Sequence, residues 1–241
     1  MSITAEQLNR VMPSAAGLLS DEPEMESSLH YLQLLILYVS LEYHWRERND
    51  YFIGANLTVY YNREQLKSRD FRGPDLFIVT DVEKRARNSW VVWEEGGRYP
   101  DLIIELLSDS TTEIDRTIKR DLYARRFRTP EYFWFSPQTE EFAGFQLASG
   151  SYQEIPANDC GWRWSEVLNL YLGIHNQQLR YFTHSGQLVP TPEEAALQMQ
   201  EELAQKDETA RKLQQQLKRE TRRAARLAAK LKELGINPDE I

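Results

Sequence analysis

The sequence predicts an α/β fold: a central mixed β-sheet flanked by helices, followed by a long C-terminal coiled-coil helix. Three observations carry this reading. Short runs of β-branched and aromatic residues alternate with helical stretches between residues 25 and 155. One apolar strand pattern, Asp101-Leu102-Ile103-Ile104-Glu105-Leu106-Leu107, is followed at once by a change to helical periodicity. An unbroken three-four apolar repeat then runs from Ala196 to Leu234. The chain divides accordingly into a domain over residues 1–190 and a tail over 191–241.

Residues 1–24 are polar and punctuated by Pro13, Gly17 and Pro23, and read as a short helix and a loop. Residues 25–48 form a helical pattern that is apolar on nearly every side, which predicts burial on more than one face. Strands are expected at 52–61, at 75–79 after the Gly73-Pro74 turn, at 91–93, and at 101–107 after the turn Glu95-Gly96-Gly97. Ser110-Thr111-Thr112-Glu113 matches a capping box for a helix that ends near Phe127, before Pro130. Segments 131–135, 141–147 and 151–155 complete the predicted sheet, while 161–188 shows no single pattern.

The bulk numbers narrow the options. A chain of 241 residues, 41% hydrophobic, with six Trp, twelve Tyr and nine Phe can build one ordinary core and an appendage. Cys160 is the sole cysteine, so neither an intramolecular disulfide nor a Cys-rich zinc site is possible, which fits a cytoplasmic location. The N-terminus has no basic and apolar leader pattern, and the most apolar stretch, 29–41, is too short for a membrane span. No membrane association is therefore expected. A net charge of −8 argues against a protein that coats nucleic acid, although a basic footprint can be local.

The tail seam comprises Ala196, Met199, Leu203, Lys206, Ala210, Leu213, Leu217, Glu220, Ala224, Leu227, Leu231 and Leu234, with Lys206 and Glu220 as its polar members. That length of heptad run predicts self-association as a homo-oligomer, most simply a dimer; a single helix folded back on the domain is the plainer alternative. Acidic residues dominate the first half of the tail and Arg and Lys the second. Antiparallel pairing would join opposite charges and parallel pairing like ones, while the basic half alone could lie on phosphates. The charges alone leave that choice open.

The candidate site starts from two misplaced carboxylates. Alternation puts Asp101, Ile103, Glu105 and Leu107 on one face of their strand, so Glu105 interrupts an apolar element. Burying it is costly unless it is paired, protonated or metal-bound. Asp75 likewise opens the apolar run Leu76-Phe77-Ile78-Val79. Two such groups on neighbouring strands could share a hard cation. The following helix carries Lys119, with Asp115 and Tyr123 at i−4 and i+4, beside Arg116, Arg120, Arg125, Arg126 and Arg128. That local basic excess is where a nucleic-acid backbone would lie. Each residue also has a plainer reading. Asp75 can be a turn residue, Glu105 an edge or interface carboxylate, Lys119–Asp115 a surface ion pair, and Asp101 a strand cap. His30, His44, His175 and His184 lack metal-ligand spacing, and no phosphate-binding glycine loop, dinucleotide fingerprint or nucleophile elbow is present. The tryptophans read as core rather than as stacking platforms.

The order Gly73-Pro74-Asp75-Leu76, Pro100 to Ser108, Asp115 to Tyr123 and Pro130-Glu131-Tyr132-Phe133-Trp134 resembles the restriction-endonuclease-like family that is numerous in cyanobacteria, assigned to the PD-(D/E)XK nuclease superfamily. The ending from Leu227 to Ile236 also resembles the coiled tails of its members. The resemblance implies a restriction-endonuclease-like sheet in which Asp75 and Glu105 hold Mg²⁺, or Mn²⁺ in its place. The superfamily pattern wants lysine where Leu107 stands; the resemblance implies that the lysine has moved to Lys119. A further acidic ligand from the first helix would be Glu26 or Glu42, and Ser108, Asp115 and Tyr123 would orient the ligands. The implied activity is Mg²⁺-dependent hydrolysis of DNA phosphodiesters by an endonuclease. The alternative is a catalytically inactive nuclease-fold module that binds DNA or protein for regulation.

Overall fold

A computed structural model describes residues 18–20, 22, 27–62, 73–108 and 115–233, the side chains of Asp115 and Arg116 excepted. The expected N-terminal short helix, the Ser110–Glu113 capping box, Glu26, the Asp115 side chain and Leu234 lie outside these residues. The chain separates into two compact units, Met1–Thr191 and Pro192–Ile241.

Helix α1, Ser28–His44, starts where the Ser27 hydroxyl accepts the His30 N–H at 3.3 Å. Its buried residues, His30, Gln33, Leu34, Leu37, Ser40 and Leu41, form one stripe. Burial on more than one face is thus corrected: Leu29, Tyr31 and Leu32 remain about half exposed (47%, 57% and 52%). The Gln33 amide donates to the Leu179 carbonyl and accepts the Leu179 N–H, so a buried polar residue fastens the helix to a distant backbone.

The main sheet contains β1 (Tyr51–Ala55), β3 (Leu76–Thr80), β5 (Leu102–Leu106), β6 (Glu131–Phe135), β7 (Phe142–Ala148) and β8 (Ser151–Glu154), hydrogen-bonded in that order. Only β5 and β6 pair in parallel, as the helical crossover between them requires. The single strand expected over 52–61 is instead two. Asn56 takes a positive φ of 46° and ends β1, and β2 (Val59–Tyr60) leaves the sheet to pair with β4 (Trp90–Val91). Residues 161–188, unpatterned in sequence, contain β9 (Arg163–Ser165), β10 (Leu170–His175) and β11 (Gln178–Phe182), an antiparallel three-stranded sheet.

Both faces of the main sheet are covered. Leu102, Ile104 and Leu106 join α1 and the small sheet in one core; Ile103 joins Phe77, Tyr123 and Phe127 in the other. The crossover helix α2 spans 115–127. It consists of wide i→i+5 turns, Asp115–Lys119 and Tyr123–Phe127, around one ordinary turn, Arg120–Leu122. It stops at Arg128, in the left-handed conformation, where the Thr129 N–H caps the Tyr123 carbonyl at 3.0 Å before Pro130. Helix α3, Pro192–Glu233, runs 42 residues without a buried side chain. Among the described residues, no helix is long and apolar enough to cross a membrane.

Glu131 locks the small sheet to the large one. Its carboxylate, 2% exposed, accepts the Ser165 hydroxyl and the backbone N–H groups of Glu166 (2.7 Å) and Val167 (3.3 Å). Burial pushes its pKa up despite these donors. Removing all three acceptor contacts in Glu131→Ala is expected to cost about 1–3 kcal/mol, read from the urea midpoint. A raised folded pKa means that the native state binds this proton more tightly. The stability of the wild type relative to Glu131→Gln should therefore fall as pH rises from the unfolded value of 4.5 through the raised folded one.

Candidate active site

Strand register sets the two acidic residues opposite each other. Leu76 pairs with Ile104 in the antiparallel β3–β5 ladder, so one step beyond this pair Asp75 lies across from Glu105. The Asp75 Oδ2 accepts the Leu106 N–H at 2.7 Å, which fixes the aspartate against the neighbouring strand. The turn residue therefore also braces the sheet. On its other side, the Asp75 carbonyl accepts the Asn56 N–H at 2.7 Å.

Glu105 has no exposed surface. It points with Ile103 toward α2, as period-two alternation requires. Two groups one helical turn apart meet it there. The Lys119 Nζ lies 3.1 Å from Oε2, and the Tyr123 hydroxyl donates to Oε1 at 2.7 Å. Lys119 is itself nearly enclosed, with 12% of its side chain exposed. Its predicted alternative, a surface ion pair, does not describe a contact that bridges a helix to the central strand. An ion pair with a further hydrogen bond is what makes a fully buried carboxylate tolerable.

Ser108, 6% exposed, lies two residues beyond this strand. His30, which lacks metal-ligand spacing in the sequence, is buried: its Nε2 lies 3.2 Å from the Leu107 carbonyl and its Nδ1 3.1 Å from the Ser27 hydroxyl. It ties the start of α1 to the strand end just past Glu105. The Ser27-to-His30 spacing at a helix start was its one trace in the sequence.

Other candidates fall elsewhere. Asp101 Oδ2 accepts the Thr80 N–H (2.7 Å) and hydroxyl (2.9 Å), which is the strand-capping reading. Glu42 pairs with Lys84 at 2.7 Å, beside the Tyr51 hydroxyl. This pair belongs to a groove of about 730 Å³ along α1 and β1, whose lining includes Tyr38, Glu42, Ile53 and Lys84 but neither Asp75, Glu105 nor Lys119. Burial opposes the Lys84 charge, yet hydrogen bonds to Glu42 and Tyr51 raise its pKa overall. Along α2, Arg125 is exposed and near Asp121 (3.7 Å), and the Arg120 guanidinium packs 4.5 Å from the Phe145 ring centre. Trp90 is fully buried and serves the core. Among the described residues, no group of three or more His, Cys, Asp or Glu side chains is arranged to hold a metal. Asp75 and Glu105 are the groups here that could hold Mg²⁺, which is commonly held by one or two carboxylates plus substrate oxygens.

A mixed sheet flanked by helices, with Glu105 on β5 across from Asp75 and paired with Lys119 of the following helix, is a restriction-endonuclease-like fold. The chain belongs to the Uma2 family, described as "Putative restriction endonuclease", whose model matches residues 19–181. A solved structure described as a "putative nuclease belonging to DUF820", from Anabaena variabilis, is similar at 12% identity with a TM-score of 0.44, covering 69% of this chain and 91% of that one. No curated protein matches the chain.

The pairing makes a stability prediction separate from any activity. Lys119→Met leaves the Glu105 carboxylate buried without its cation and should cost about 3–5 kcal/mol in chemical denaturation. The double variant Glu105→Gln/Lys119→Met should recover most of that loss. Equal losses in single and double variants would show that the ion pair is not what holds Glu105 in the core.

Proposed function

We propose that this protein is a Mg²⁺-dependent endodeoxyribonuclease that hydrolyses phosphodiester bonds, with Asp75, Glu105 and Lys119 as its catalytic residues. The observation that carries the reading is the fully buried Glu105, across from Asp75 in register and paired with Lys119. Family membership supports nuclease chemistry in general and favours DNA as substrate.

Asp75 and Glu105 would hold the cation, and Mn²⁺ offers the same hard, oxygen-seeking chemistry. When bound, the ion supplies Lewis-acid polarisation of a phosphoryl oxygen and a more acidic water. The remaining work falls to the chain. The Leu106 N–H holds the Asp75 carboxylate in orientation, and the Tyr123 hydroxyl does the same for Glu105. Lys119, held 3.1 Å from Glu105, would stabilise charge that develops on the phosphate in the transition state. Exposed Arg125 and Arg126 on α2 offer contacts to a nucleic-acid backbone. Tyr123 is a positioning residue.

One observation favours a second reading. Lys119 already neutralises Glu105, as it would in a nuclease fold retained as a DNA- or protein-binding module. Plasmid cleavage separates the two. With Mg²⁺ or Mn²⁺ the wild type should nick supercoiled DNA; chelation should abolish cleavage, and Asp75→Ala and Lys119→Ala should each lose about 100-fold or more. Identical background nicking by wild type and variants would leave the binding module standing.

A further inference from the structure

We infer that α3 is one strand of an antiparallel two-stranded coiled coil, whose other strand is α3 of a second copy of this chain. The inference is independent of the nuclease reading. It starts from the exposed apolar residues of this helix. Its 42 residues contain no buried side chain, and Leu203, Leu213, Leu217 and Leu227 are 55–67% exposed. Because the segment is continuously helical, its three-four spacing becomes a single face. Leu203, Leu217, Leu227 and Leu231 share that face with Met199 and Leu213. An unpaired helix of this length draws little stability from propensity alone, and six large apolar side chains along one side call for a partner.

The polar seam residues decide what kind. In a parallel, in-register pair, Lys206 meets the partner's Lys206 and Glu220 meets the partner's Glu220. The flanking Glu202 then faces the partner's Asp207. All three juxtapositions repel. Reversing one helix removes them together. Consider the register in which Ala210 lies opposite the partner's Leu213. Ala196 then faces the partner's Leu227, and Met199 faces the partner's Ala224, so small residues receive large ones along the seam. Lys206 comes within one layer of the partner's Glu220, and Glu202 flanks the seam opposite the partner's Arg223. The rest of the charge follows: Glu193, Glu194, Glu201 and Glu208 occupy the first half of the helix, and Arg219, Arg222, Arg226 and Lys230 the second. The intrahelical pairs Lys206–Glu202 (3.9 Å) and Lys212–Glu208 (2.7 Å) are exposed and do not oppose the arrangement. At 1.5 Å per residue, the two chains enter such a pair at opposite ends, about 60 Å apart. A parallel pair would bring both to one end.

The test uses the full chain in a Cys160→Ser background, since Cys160 is the protein's one thiol and is exposed. Sedimentation equilibrium should give a dimer. Chains carrying Ala196→Cys, mixed with differently tagged chains carrying Leu227→Cys, should form a disulfide heterodimer on mild oxidation, while Leu227→Cys alone should not cross-link. Lys206→Glu should weaken the dimer at least about tenfold by setting two carboxylates side by side, and adding Glu220→Lys should restore it. Neither charge change alters the apolar seam, and circular dichroism confirms that the domain remains folded. A monomer, a chain that associates only on added DNA, self-cross-linking of Leu227→Cys, or indifference to the charge reversal would each overturn the inference.

Discussion

A carboxylate with no solvent exposure sits on the central strand of the sheet, and much of the domain is organised around making that tolerable. Glu105 occupies the α2-facing side of β5, between strands paired on both edges. Charge at such a place needs compensation that the strand cannot supply. Lys119 and Tyr123 supply it from α2, so the helix must lie across this face with one particular side inward. The same packing places Phe127 and Tyr123 against Ile103 and Phe77. The polar constraint and the apolar core therefore select the same helix orientation.

The opposite face shows a milder version of this logic. There α1 and the small sheet cover Leu102, Ile104 and Leu106, and buried polar groups fix the docking. Gln33 reaches the Leu179 backbone, and Glu131 gathers donors from residues 165–167. Each contact is directional where hydrophobic burial is not, so it selects among otherwise similar packings. His30 extends this scheme to the end of β5, where it ties the start of α1 to the Leu107 carbonyl.

The tail follows different rules. Its helix carries no tertiary contacts that bury a side chain, and its information lies in spacing and charge order along a single line. The domain places its polar groups where burial makes them selective; in the tail, Lys206 and Glu220 would act the same way between two chains. One polar residue per seam segment is enough to distinguish orientations, because a mismatched charge costs more than an apolar contact contributes.

Much of this architecture was legible from local patterns. The alternation of β5, the helix that follows it, the stop before Pro130 and the long tail helix all depend on neighbours a few residues apart. The two carboxylates stood out because each interrupts an apolar run. What failed was what depends on distant partners. The split of 52–61 follows from the left-handed turn at Asn56 and the pairing of β2 with β4, and the small sheet over 163–182 packs on the core of the larger one. The helical pattern of α1 suggested burial all round, but hydrophobicity does not reveal which apolar face finds a partner. By itself, the sequence determined the types of most elements up to residue 155 and of the tail, the acidic anomalies and the local basic excess near α2, since these are properties of composition and period. Only the tertiary structure decided that Asp75 faces Glu105 and that Lys119 reaches it, because strand register and helix placement are set by contacts between residues far apart in the chain.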